Sequence, residues 1–165
     1  LIGATAPLAA APRTEDRQIL LQALDDEYRA EATYQAVLNK FGQVRPFSNI
    51  IRAEQTHAQM VKAELKRNGW SYPDNTYLGK VKTYLGKVKA PASLLEACRI
   101  GEKAEIDNIA LYERLLPKVS DAASRAVLER LQWASRENHL PAFQRCISRG
   151  GTPGKGSGGG QGRGW

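Results

Sequence analysis

A chain of 165 residues with 42% apolar and 25% charged residues can fill one substantial hydrophobic core and is too short to expect two domains. No run approaches the roughly 18 uninterrupted apolar residues of a membrane helix, so no spanning segment is expected. Of the net charge of +7, residues 70–92 carry +3 (Lys80, Lys82, Lys87 and Lys89 against Asp74) and residues 149–165 another +3 (Arg149, Lys155, Arg163), leaving +1 for the rest. That distribution speaks against specific nucleic-acid binding through a basic helix face.

In chain order, residues 1–13 (LIGATAPLAAAPR) form a small-residue, nearly uncharged arm that reads as the remnant of a secretory signal. An exported protein, periplasmic or extracellular, is expected on that reading; an arm of a cytoplasmic protein is the alternative. A first helix is predicted from about Thr14 to Gly42, with Leu20, Leu24, Glu27, Glu31, Tyr34, Leu38 and Phe41 on one stripe. A second starts near Pro46 and ends at Asn68-Gly69, its stripe reading Phe47, Ile50, Glu54, His57, Val61 and Leu65. Residues 70–92 then form a long connection in which TYLGKVK occurs twice in tandem over 76–89. A duplication is cheap in such a loop, because each doubling of length costs only about 0.6 kcal/mol.

The third predicted helix opens on the capping box Ser93-Leu-Leu-Glu96 and stops before Pro117, with Leu95, Cys98, Glu102, Glu105, Ile109, Tyr112 and Leu116 inward. The fourth follows Ser120-Asp121 and carries Leu128, Leu131, Ser135, His139, Ala142 and Cys146 inward, with Pro141 expected to bend it. Residues 149–165 are Gly-rich and read as a flexible tail unless a partner orders them. The whole is an all-α four-helix bundle over 14–148, two helix hairpins joined by a long crossover at 70–92.

Five glutamates, Glu27, Glu31, Glu54, Glu102 and Glu105, stand on these stripes where Leu or Ile belongs, and both histidines, His57 and His139, stand there too. Burying an ionised carboxylate costs several kcal/mol unless a positive charge compensates. Glu54-Gln-Thr-His57 sets a carboxylate and an imidazole on one helix face, a donor set suited to iron or manganese. Glu27 and Glu105 are each followed seven residues later by a tyrosine, Tyr34 and Tyr112, so the two hairpins look like copies of one unit. The tyrosines read best as core aromatics whose hydroxyls satisfy the glutamates.

Through Asp26-Glu-Tyr-Arg-Ala-Glu-Ala-Thr-Tyr34, Ala53-Glu-Gln-Thr-His57, Gly101-Glu-Lys-Ala-Glu105 and Asn138-His-Leu140, the chain resembles the ferritin-like superfamily, in its rubrerythrin-related branch and an uncharacterised ferritin-like family. The resemblance covers roughly residues 14–148. It implies Glu27, Glu54, His57, Glu105 and His139 as metal ligands, Glu102 as an additional carboxylate, iron as cofactor, dioxygen or peroxide chemistry of ferroxidase or peroxidase type, and frequent homodimers.

One departure from the family pattern is plain. The residue three before His139 is Arg136 instead of Glu, and Glu137 points about 200° away on a regular helix. Three outcomes are open: Glu31 or Glu102 replaces the missing carboxylate, the site holds a single ion, or Arg136 neutralises the surplus glutamates and no metal binds. In the last case the chain is a structural or adaptor subunit of an exported assembly, its basic loop and tail contacting a protein partner. Cys98 lies seven residues before Glu105 and Cys146 seven after His139. If those two residues face each other, the cysteines share a level and a disulfide is expected; two buried free thiols are the alternative.

Overall fold

The apolar stripes become two helix hairpins in the computed structural model, which describes residues 14–80 and 91–153. The N-terminal arm 1–13, the second TYLGKVK copy and the Gly-rich tail from 154 onward lie outside the described residues. Helix α1 spans Thr14–Phe41 and α2 spans Phe47–Arg67; α3 spans Leu94–Leu115, followed by a 3-10 turn at Leu116–Lys118. The fourth rod is continuous but composite: α4 (Ala122–Ala134), a π-helical turn (Ser135–His139) and α5 (Leu140–Ser148). Among the described residues there is no strand, and the fold is a ferritin-like helical bundle.

Local chemistry sets the ends. Ser93 Oγ accepts the Glu96 N–H at 3.1 Å and Glu96 accepts the Ala92 N–H at 2.7 Å, closing the first turn of α3. Asp121 accepts the Ser124 N–H at 2.9 Å to start α4. Buried Asp16 receives the Ser120 and Asp121 N–H groups at 2.9 and 3.0 Å, fastening the second hairpin's turn to the start of α1.

Helix α1 packs on α2 and α3 on the fourth rod, while α1 also faces α3 and α2 faces α4. The core is layered. One apolar cluster is built around Leu20, Leu24, Val61, Leu65, Leu128 and Leu131, and a second around Tyr34, Phe47, Ile50, Cys98, Phe143 and Cys146. Helix α3 approaches the fourth rod closely at Gly101, where a Cβ would stand 2.4 Å from the Phe143 ring. The crossover returns along α1: Tyr28 donates to the Pro73 carbonyl at 2.8 Å, and Tyr77, from the first TYLGKVK copy, donates to Asp25 at 2.6 Å.

Candidate metal centre

Glu27, Glu54, His57, Glu105 and His139 lie on the same stripes as the residues of the two apolar clusters, and all are almost fully buried. Two groups emerge that share one residue: Glu27, Glu54 and His57, and Glu54, Glu105 and His139. His57 Nδ1 is 3.3 Å from Glu27 Oε2 and 3.4 Å from Glu54 Oε2. His139 Nδ1 is 3.1 Å from Glu54 Oε1 and 3.5 Å from Glu105 Oε2. Glu54 therefore turns one oxygen toward each histidine, and the two rings stack with centroids 5.5 Å apart.

The outer oxygens are held crosswise. Tyr34 donates to Glu105 Oε1 and Tyr112 to Glu27 Oε1, each at 2.6 Å, so each hairpin's tyrosine serves the other hairpin's glutamate. Burial first, and then the neighbouring carboxylate, raises both phenols well above the usual tyrosine value, which keeps them donors.

Burial alone would lower both imidazole pKa values, but the glutamates outweigh it and push each up to about 10. Burial opposes ionisation of Glu54 as well, yet His139 and His57 hold its carboxyl down at about 2. Glu27 moves the other way, up to about 7, through burial and the Glu54 charge. Without metal, the histidines are thus the counter-charges of the cluster. They fill that role poorly: Glu27 Oε2 and all four imidazole nitrogens are buried with no hydrogen-bond partner. Five orphaned polar atoms in so small a volume fit the donor set of a metal site.

The remaining sequence candidates lie elsewhere. Glu102, half-buried, precedes Glu105 by a little less than one turn and belongs to neither group. Glu31 accepts from Gln55 at 3.1 Å and from Asn75 at 3.0 Å, tying α1 to α2 and the crossover. Arg136 is 48% exposed and pairs with Glu113 at 3.3 Å, so it does not neutralise the buried glutamates.

The π-turn explains the displacement of Arg136. Pro141 has no N–H, and the Leu140 N–H reaches back five residues to Ser135. With more residues per turn, the residue sharing the face of His139 is the one four before it, buried Ser135. Ser135 donates to Asn108 Oδ1 at 2.7 Å, and Asn108 donates to Asp26 at 2.6 Å. Burial raises the Asp26 carboxyl to about 7, opposed by the Asn108 hydrogen bond and assisted by the charges of Glu27, Glu54 and Glu105. Sequence reasoning did not count this chain of three among the site residues. Its one available signal was Pro141, which breaks the 100° count on which the assignment of Arg136 depended.

Cys98 and Cys146 form a disulfide between α3 and α5. A cleft of about 490 Å³ between α1 and α3, lined by Asp26, Ala30, Tyr34, Ala104 and Asn108 among others, reaches Glu54 and Glu105.

Comparison with known proteins agrees with this arrangement. A family model described as Rubrerythrin matches residues 18–146. The uncharacterized protein MJ0754 of Methanocaldococcus jannaschii is 29% identical over 148 residues, covering 84% of this chain and 78% of its own length. The crystal structure of hypothetical protein MJ0754 from Methanococcus jannaschii matches with a TM-score of 0.74 at 25% identity, over 92% of this chain and 89% of that one.

Proposed function

The chain belongs to the rubrerythrin family of the ferritin-like superfamily, and on that footing we propose that it binds two metal ions, iron foremost and manganese as the alternative, for chemistry with dioxygen or peroxide. The observation that carries the reading is Glu54, whose two oxygens face two histidines, each beside a glutamate of its own. Glu27 and His57 would complete one position, and Glu105 and His139 the other. Carboxylate oxygens with one imidazole per ion suit iron or manganese. When bound, such ions supply electrons and an electrophilic centre for reactive oxygen species.

The protein's own contribution is positional. Tyr34 and Tyr112 fix the outer carboxylate oxygens and so aim the inner ones. The apolar clusters on the same stripes limit the approach of water, and the α1–α3 cleft gives small molecules a route to Glu54 and Glu105. The reading extends to an exported protein, supported by the disulfide. The rival reading, an adaptor with a degenerate site, loses Arg136 as its neutralising cation, since that residue is paired at the surface, and would leave His57 and His139 as the counter-charges of the glutamates.

Anaerobic titration with ferrous iron should show two ions per chain. Glu54→Ala should lose both, because the residue is shared, whereas Glu27→Ala should spare the position of Glu105 and His139. Wild-type protein that takes up no iron, manganese or zinc above background would sink the proposal.

A further inference from the structure

Glu105 and His139 stand on the second hairpin between two ties. On one side is the hairpin's turn, fastened to α1 through Asp16. On the other is the fully buried Cys98–Cys146 disulfide, its cysteines seven residues before Glu105 and seven after His139, about 10 Å along each helix. The first hairpin repeats the ligands without the bond: Leu20 and Glu64 occupy the corresponding places beside Glu27 and His57.

The bond secures a stretch that local structure holds poorly. Helix α5 has nine residues, fewer than the ~12–15 at which a helix begins to persist alone in water, and it follows a π-turn. It turns Ala142, Phe143 and Cys146 inward. Phe143 packs against Tyr34 with ring centroids 5.4 Å apart, and Tyr34 donates to Glu105. Movement of α5 therefore reaches both of these ligands, His139 through the backbone that joins them and Glu105 through Phe143 and Tyr34. Glu27 and His57 are insulated from it: they stand on α1 and α2, and the phenol on Glu27 is Tyr112, part of the other apolar cluster.

We propose that Cys98 and Cys146 are a thiol switch that positions the ligands of one metal position and not the other; the inference rests on the two-ion reading above. With the disulfide formed, α5 holds His139 and Glu105 in place. A dithiol that reduces it passes on two electrons and two protons, leaving two cysteine thiols and becoming a disulfide itself; α5 is then free to open, and the position of Glu105 and His139 loosens while that of Glu27 and His57 keeps its ion. Metal loading is thereby complete only where disulfides persist.

Cobalt(II) titration by calorimetry tests this on three forms of the full chain: oxidised, reduced with dithiothreitol and desalted anaerobically, and Cys98→Ala/Cys146→Ala. The oxidised form should bind two ions. The other two forms should bind one as before and the second at least about tenfold more weakly, and reoxidation of the reduced form should restore it. Glu27→Ala isolates the switched position, so its remaining ion should show the whole effect of reduction. In metal-free protein, reduction should speed amide hydrogen exchange over 140–148 and leave 47–67 unchanged.

Unchanged cobalt binding after reduction, equal weakening of both positions, or loss of the whole bundle's helical signal would overturn this inference while leaving the metal site of the oxidised protein intact. Failure of the oxidised protein to bind cobalt at all would overturn both.

Discussion

Replacing Tyr112 by Phe removes one oxygen atom and leaves the packing shape of the core unchanged, so its effect isolates a single hydrogen bond. The lost contact is the 2.6 Å donation to Glu27 Oε1, between two side chains with almost no exposed surface. Glu27 Oε2 has no hydrogen bond of its own and only the His57 ring beside it, Nδ1 at 3.3 Å. At about pH 8, above the value of about 7 to which burial and Glu54 raise Glu27, its carboxylate is ionised and the bond is charge-assisted. Losing such a bond and leaving its acceptor buried costs about 1.5–3 kcal/mol. For a chain of this size that corresponds to a fall in Tm of roughly 3–12 °C.

Urea and thermal unfolding of metal-free protein with the disulfide intact would measure the loss. Tyr34→Phe should give a similar value, since its bond to Glu105 has the same length. Losses below about 0.5 kcal/mol in both variants, within the range of ordinary surface substitutions, would refute the view that the phenols satisfy the buried glutamates.

Two further outcomes follow from the same structure. The Cys98–Cys146 bond joins residues 48 apart, and constraint of the unfolded chain by a loop of that length stabilises the protein by about 4 kcal/mol; denaturant unfolding with and without reductant tests this, and a difference under about 1 kcal/mol would contradict it. The imidazoles of His57 and His139, raised from 6.5 to about 10 by the glutamates against the effect of burial, give metal-free protein stability that is complete below about pH 6.5 and lost as pH climbs toward 10. The urea midpoint of metal-free protein should therefore fall between about pH 6 and about pH 9, and a flat profile would show that the histidines are neutral in the folded state.

Helix boundaries were legible because their signals are local. Ser93 and Asp121 cap the helices that their positions announce, and the stripes of α1 and α2 bury nearly as their spacing requires. On α3, by contrast, only Cys98, Glu105 and Tyr112 of the expected stripe are buried, joined by Ala97, Gly101, Asn108 and Leu115, while Leu95, Glu102, Ile109 and Leu116 are half-buried. Glu27, Glu54, His57, Glu105 and His139 could be picked out as a group because charged groups at inward positions violate the pattern around them. Glu102 and Glu31 met the same criterion but stand at the edges of their stripes, where half-burial satisfies a carboxylate without a metal. What spacing could not reveal is anything downstream of a change in helical pitch. Pro141 warned of a disturbance, yet whether the rod kinks or inserts a π-turn depends on tertiary packing, and the roles of Ser135 and Arg136 exchange with that choice. The pairing of Tyr34 with Glu105, and of Tyr112 with Glu27, was likewise invisible, because it depends on which hairpin faces which.

That reciprocity bears on how the chain reaches its native state. A hairpin standing alone has a buried-type glutamate whose phenol donor resides on the other half of the protein, so it gains little by closing over it. Docking of the two halves satisfies both glutamates at once, which ties them into one cooperative unit and disfavours a populated half-bundle.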